Sequence, residues 1–346
     1  MSIKSRLANF PRTILLEGPT PIQRLERLEA ALGNSLRGAR LFVKRDDLMG
    51  LGGGGNKLRK LEFLLGEAVA NGADTIITVG GRQSNHARLT AAVAARFGLQ
   101  CELVLARVVQ REGADYELNG NVILDELFGA TIHDLPGSAD TLTFAELRAQ
   151  QLRAQGRKVY VAPTGGSSPI GCLGYAACAI EITQQSQEIG LEFNKVVVPN
   201  GSGGMHAGLS AGFEALGRGA ALVRSFAVLA QVDQARRTTL EKVNATLALL
   251  GQGEVGPTDV DLAGEQLGEG YGIPTQAMKD AVRLMARTEG LLLDPVYSGK
   301  AFAGLLANLV EGTYQHADNI LFVMSGGTPA LFAYRTAFDR DSFAKT

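Results

Sequence analysis

Short runs of β-branched and aliphatic residues alternate along the chain with stretches whose apolar positions recur every three or four residues. The first pattern predicts strands at 41–43, 75–79, 102–105, 158–161, 195–198, 226–230 and 320–324. The second predicts helices at 58–69, 87–97, 121–128, 173–186, 205–216, 275–288 and 300–312. Leu58, Leu61, Leu64, Leu65 and Ala68 show the helical stripe most clearly. Strand-helix alternation of this kind builds βα units and mostly parallel sheets, and two sheets suit the length better than one. No internal repeat is visible, and residues 251–256 read as a loose surface loop. In open α/β sheets ligands bind at the carboxyl ends of strands. The glycine- and serine-rich segments of this chain fall at those ends.

Composition narrows the field. The chain has 346 residues, room for about two domains with substantial cores. Hydrophobic residues make up 45% and charged residues 20%, as in ordinary globular proteins. Net charge is −1, so nothing electrostatic favours nucleic acid or an anionic membrane. No apolar run approaches the ~20 residues of a membrane span, and the polar N-terminus lacks a signal-peptide core. A cytoplasmic protein is expected. Three cysteines, Cys101, Cys172 and Cys178, supply no disulfide framework, and the four histidines are scattered, so no metal is expected.

The candidate chemistry begins with Lys57. It follows Gly52, Gly53, Gly54, Gly55 and Asn56 and opens a helix. Four glycines leave little bulk before it, so a planar ligand has room to approach. A buried lysine amine loses its proton readily and forms Schiff bases. Four polar loops follow predicted strands. Residues 80–86 place Ser84 and Asn85 before a helix, either as caps or facing a ligand at the helix N-terminus. Residues 163–169, with Ser167 and Ser168, read as a turn or as a second ligand-facing loop. Gly201, Ser202, Gly203, Gly204 and Met205 would present backbone amides to an anion such as phosphate. Ser325 sits in a similar loop with Gly326 and Gly327. Tyr271 between two glycines is either a surface residue or a pocket wall, and Tyr297 and Ser298 precede a helix.

The 201–204 loop also partly fits a dinucleotide fingerprint, with Asp233 as the ribose-binding acid. The third glycine is replaced by His206, so a single phosphate is the better guest. One reactive lysine, one phosphate nest and several neutral hydroxyls together describe the site of pyridoxal phosphate. A nicotinamide-dependent oxidoreductase and a non-catalytic ligand-binding module are the rivals from other classes. Neither gives a reason to gather Lys57, Ser84 and Tyr297.

The chain resembles the D-cysteine desulfhydrase / 1-aminocyclopropane-1-carboxylate deaminase family of fold type II pyridoxal-phosphate enzymes. The resemblance runs from about Pro19 to Tyr334. It rests on Thr20-Pro21, Lys44-Arg45-Asp46-Asp47, the run from Gly55 to Phe63, and Gln83-Ser84-Asn85-His86. Gly174-Tyr175, Gly270-Tyr271-Gly272, Asp294-Pro295-Val296-Tyr297 and Gly326-Gly327 extend it. It implies a two-domain α/β fold, similar to the tryptophan synthase β-subunit, each domain an open and mostly parallel twisted sheet flanked by helices. Residues 1–50 and 165–346 would form the large cofactor-binding domain and 51–164 the small one. Homodimers are expected.

The same resemblance implies roles. Lys57 would carry the cofactor as a Schiff base and shuttle the Cα proton. Asn85 would bond the cofactor's phenolic oxygen. Lys60 with the 201–205 loop would hold the phosphate. Ser84 would meet the substrate carboxylate, and Asn85, His86, Ser167 and Ser298 would also face substrate. Tyr271 and Tyr297 would act as acid/base or positioning groups, and Ser325 would contact the cofactor. Relatives often carry threonine where this chain has Met205, so one side-chain donor to the phosphate is missing.

Ser298 and Ser325 match the desulfhydrase branch, since the deaminases resemble this chain but have glutamate and leucine there. His86 agrees, because the deaminases carry glutamine. A serine leaves the pyridine nitrogen neutral, which β-elimination tolerates and cyclopropane opening does not. D-Cysteine is the expected substrate, giving pyruvate, ammonia and sulfide. The alternatives are L-cysteate and 1-aminocyclopropane-1-carboxylate. Arg82 bears on the first of these, since its guanidinium either meets a sulfonate or points to solvent.

Overall fold

The structure, a computed structural model, describes residues 2–339. Its strands are β1 (Ile22–Arg24), β2 (Arg40–Arg45), β3 (Thr75–Gly81), β4 (Gln100–Ala106) and β5 (Thr131–Leu135). They continue with β6 (Val159–Ala162), β7 (Lys195–Asn200), β8 (Val223–Ala227), β9 (Asp261–Ala263) and β10 (Asn319–Met324). Two sheets result. The smaller has the order β5-β4-β3-β6, with all neighbours parallel. The larger has the order β1-β2-β10-β7-β8-β9 and is parallel apart from its edge strand β1. β10 is buried at every position and β7 at five of six, as strands covered by helices on both faces must be.

Every predicted strand and helix has a counterpart. The strand expected at 226–230 begins three residues earlier, at Val223. Arg224 hides it in the sequence, because its charge is answered by Asp261 on the neighbouring β9 (2.7 Å). β1, β5 and β9 are short or polar edge strands and escape the period-two pattern. The helices Thr141–Ala154 and Val232–Leu249 also escape it. The first buries just Ala145, Ala149 and Leu152, too thin a stripe to stand out.

Three helices set the position of the site. The Lys57 helix (Lys57–Ala70) lies against the helix Pro169–Glu188 so closely that a Cβ on Gly174 would sit 2.0 Å from the Arg59 carbonyl oxygen. The opposite side of Pro169–Glu188 meets the helix Gly204–Ala215, where a Cβ on Gly208 would fall 2.2 Å from the Cys172 carbonyl. Arg59, two residues after Lys57, bonds Asp46 (2.8 and 2.9 Å) and Glu181 (2.8 and 3.0 Å). Lys44 also donates to Glu181. These interactions anchor the start of the Lys57 helix to β2 and to Pro169–Glu188.

Candidate active site

A cavity of about 200 Å³ opens at the carboxyl ends of strands from both sheets. Val79, Gly80 and Gly81 end β3, Ala106 ends β4, and Ser325 follows β10. Lys57 and Lys60, one helical turn apart, reach the cavity from one side. Gly201, Ser202, Gly203, Gly204 and Met205 line it from another, and Ser84, Asn85, His86, Tyr271 and Tyr297 complete the set.

The Lys57 amine lies 3.3 Å from Asn56 Oδ1 and 5.8 Å from the centre of the Tyr297 ring. Burial lowers its pKa to about 8, opposed by the negative charge of Asp294. The glycines before it have a different purpose from the one expected. None of Gly52, Gly53, Gly54 or Gly55 lines the cavity. They take positive φ angles, a Cβ on Gly54 would strike the Met49 and Asp47 carbonyls, and buried Arg88 donates to the carbonyls of Gly52 and Gly54. The loop is a tightly held turn that delivers Asn56 and Lys57.

Lys60 is buried and donates to Ser167 Oγ (2.8 Å) and the Gly165 carbonyl (3.1 Å). Burial and the neighbouring Lys57 charge push its pKa well below the usual lysine value. Facing it, the helix Gly204–Ala215 begins at Gly203 with a left-handed φ of 81° and no side-chain cap. Its first N–H groups therefore have no intrahelical partner. A Cβ on Gly204 would lie 2.7 Å from Lys60 Nζ and 2.4 Å from Ser167 Oγ, so glycine keeps this cradle open. A buried ammonium beside a helix N-terminus fits the phosphate of a small ester. Met205 turns its side chain into the apolar core, leaving its backbone to the cradle.

Ser84 caps its helix, its Oγ accepting from Ala87 N–H (3.1 Å), and also borders the cavity. Asn85 Oδ1 accepts from Asn121 Nδ2 (3.0 Å), so its own amide N–H₂ is the free end. Thr78 gives its hydroxyl proton to the Ala162 carbonyl (3.1 Å) and lies 3.0 Å from His86 Nε2, which must then be the protonated nitrogen. Burial holds His86 neutral. The hydroxyls of Tyr271 and Tyr297 meet at 2.6 Å. Burial raises both pKa values, so both phenols keep their protons.

Ser167 and Ser298 do not line the cavity. Ser167 stands behind the cradle, bonded to Lys60 and to Ser202 Oγ (2.7 Å). Ser298 is fully buried and gives its hydroxyl to Asp294 Oδ1 (2.6 Å). The Asp294 carboxylate also accepts from the N–H groups of Val296, Tyr297 and Ser298 (3.0, 2.9 and 2.7 Å). Ser298 thus belongs to the turn that shapes the Tyr297 backbone, and of the two serines Ser325 alone borders the cavity. Arg82 follows neither expected course. It bonds Asp134 (2.6 Å) and the Glu117 carbonyl (2.9 Å) and is not part of the cavity wall.

Sequence reasoning passed over Val108, Ala139, Thr141 and Leu229, which also line the cavity. Leu229 falls inside the strand expected at 226–230, whereas β8 ends at Ala227 and leaves it just beyond the strand end. Thr164 lies in the 163–169 loop already singled out. Ala139 and Thr141 adjoin a helix too polar to be recognised. Among the described residues no group of three or more His, Cys, Asp or Glu is placed to hold a metal ion.

A family model described as "Pyridoxal-phosphate dependent enzyme" matches residues 13–326. The chain belongs to the pyridoxal-phosphate dependent enzyme family. Its cofactor is pyridoxal 5'-phosphate, and Asp233, 91% exposed and paired with Arg236, is remote from any nicotinamide role. The chain is similar to a D-cysteine desulfhydrase of Serratia proteamaculans (strain 568), 41% identical over 96% of this chain and 99% of the relative. A D-cysteine desulfhydrase of Yersinia enterocolitica is 42% identical, over 96% and 99%. Among solved structures, a homologue of ACC deaminase superposes with a TM-score of 0.86 at 38% identity, covering 97% of this chain and 98% of that one. O-ureido-L-serine synthase, 18% identical over 99% and 98% with a TM-score of 0.65, shares the fold. This pyridoxal-phosphate enzyme is therefore a fold type II member.

Proposed function

We propose that this pyridoxal-phosphate enzyme cleaves D-cysteine by β-elimination. The observation that carries the proposal is the Lys57 amine, its pKa lowered to about 8 by burial, which opens into the same cavity as the Lys60 cradle and the tyrosine pair. The names of the similar proteins support the choice of substrate. Bound pyridoxal phosphate supplies an electron sink that acidifies the substrate Cα–H. Lys60 and the backbone amides of residues 203–205 hold the phosphate. Asn85, its amide turned by Asn121, donates to the phenolic oxygen, and Ser325 contacts the ring. Ser84 meets the substrate carboxylate at a helix N-terminus, where negative charge is favoured.

Lys57 takes the Cα proton, and the tyrosine pair offers a neutral donor beside it. The Cβ–S bond breaks, hydrogen sulfide leaves, and the remaining three-carbon enamine hydrolyses to pyruvate and ammonia. Arg82, bound to Asp134, gives no support to L-cysteate as substrate. The same proposal takes residues 51–164 as the small domain and 1–50 with 165–346 as the large one. Met1 and residues 340–346 lie outside the described residues. It also takes the protein as a cytoplasmic homodimer. Among the described residues no helix is long and apolar enough to cross a membrane.

Sulfide release from D- and L-cysteine tests the substrate. Release from the D-form alone is expected, and none from either overturns it. Lys57→Ala should lower the rate by ~10³-fold or more and remove the lysine-bound cofactor absorbance. Full activity in that variant would sink the mechanism.

A further inference from the structure

Lys300 is fully buried two residues beyond Ser298, in the first turn of the helix Ser298–Glu311. Its ammonium donates to the carbonyls of Leu267 (2.7 Å) and Gly270 (3.0 Å). Among the described residues it has no carboxylate partner within ion-pair distance. Burying a charge without a counter-charge is costly, and a leucine or methionine there would cost less. The position is therefore spent on geometry.

Both acceptors belong to the loop that carries Tyr271. That loop has little stiffness of its own. Gly270 and Gly272 flank the tyrosine, and the turn bonds Leu267 N–H to Gly264 O and Ile273 N–H to Gly270 O are long, at 3.2 and 3.3 Å. The helix turn that carries Lys300 begins at Tyr297, whose backbone N–H is fixed by Asp294 (2.9 Å). One buried ammonium thus ties the Tyr271 loop to the element bearing the partner phenol. We propose that Lys300 is a positioning residue that holds the Tyr271 hydroxyl against that of Tyr297. This rests on the reading of Tyr271 as a group that handles protons during D-cysteine cleavage.

The test uses the holoenzyme and three variants, Lys300→Met, Tyr271→Phe and the double variant. Three quantities are measured: kcat and KM for sulfide release from D-cysteine, and hydrogen exchange of peptides covering residues 264–274. Lys300→Met should lower kcat by up to about a hundredfold, as a misplacement of the reacting group by about 1 Å can, leave KM within about twofold, and speed exchange in the loop. If Lys300 acts through Tyr271, the double variant should be no slower than Tyr271→Phe, since residues acting as one unit are not additive. Losses that multiply in the double variant, or a Lys300→Met enzyme with parental kcat and exchange, overturn the proposal. A fully active Tyr271→Phe enzyme defeats the reading of Tyr271 alone. Exchange then decides for Lys300, faster supporting the clamp and unchanged rejecting it. Lys300→Gln, which keeps an amide donor, carries the same comparison if the methionine variant does not fold.

Discussion

Lys57 and Lys60 face one cavity from successive turns of a helix, and the charge of Lys57 adds to the burial that disfavours a charge on Lys60. Lys60 is committed to Ser167 and the Gly165 carbonyl. Lys57 has one long bond to Asn56 and a pKa lowered to about 8. Below that pH its amine is protonated and cannot attack the aldehyde of the cofactor, and above it the lone pair is free. Capture of pyridoxal phosphate by cofactor-stripped protein should therefore accelerate about tenfold per pH unit up to pH 8 and then level. Stopped-flow absorbance would show it, and a midpoint near that of an ordinary lysine would contradict it. Lys57 could be singled out in the sequence because its turn demands glycines that no ordinary helix start carries, and its amine opens into the cavity. Ser298 and Arg82 do not line the cavity, because their partners, Asp294 and Asp134, decide where they point, and those partners could not be read from the sequence. Lys300 left no trace, since a lysine one turn into a helix looks solvated until its burial is seen.

The seam from the Lys57 helix through Pro169–Glu188 to Gly204–Ala215 fixes the distance between Lys60 and the phosphate cradle. Gly174 is its tightest point, with no room for even a methyl group against Arg59. Gly174→Ala should force the two helices apart and cost about 3 kcal/mol, at the upper end of overpacking effects. It should also weaken cofactor retention, because Lys60 moves away from residues 203–205. Urea unfolding and cofactor titration would register both, and a variant as stable as the parent would show that the seam can yield. Most of these elements could be read from period and composition. Their contacts could not, because a small residue reads the same at a helix interface as on a surface. The strands β1, β5 and β9 were unreadable for a related reason. Edge strands bury little, so they carry no alternation to detect.

At the scale of the molecule, the cavity draws residues from position 56 to position 325 and from the ends of both sheets. The net charge of −1 and the scattered histidines gave no reason to expect nucleic acid, an anionic membrane or a metal. The arrangement of the two sheets was expected from the alternation, but their strand order was not, because it depends on pairings between remote segments. The most remote is β2 with β10, in register from Arg40 with Asn319 to Arg45 with Met324. This pairing has a consequence during synthesis. β2 leaves the ribosome early, yet its inner neighbour is the last strand among the described residues. The four-stranded sheet lies between residues 75 and 162 and can assemble while translation continues. The larger sheet must wait, holding an unpaired strand edge that invites aggregation. A chain stopped after residue 318 should therefore keep protease resistance in the 75–162 region and lose it elsewhere. Uniform resistance across such a fragment would show that β10 closes a sheet already formed.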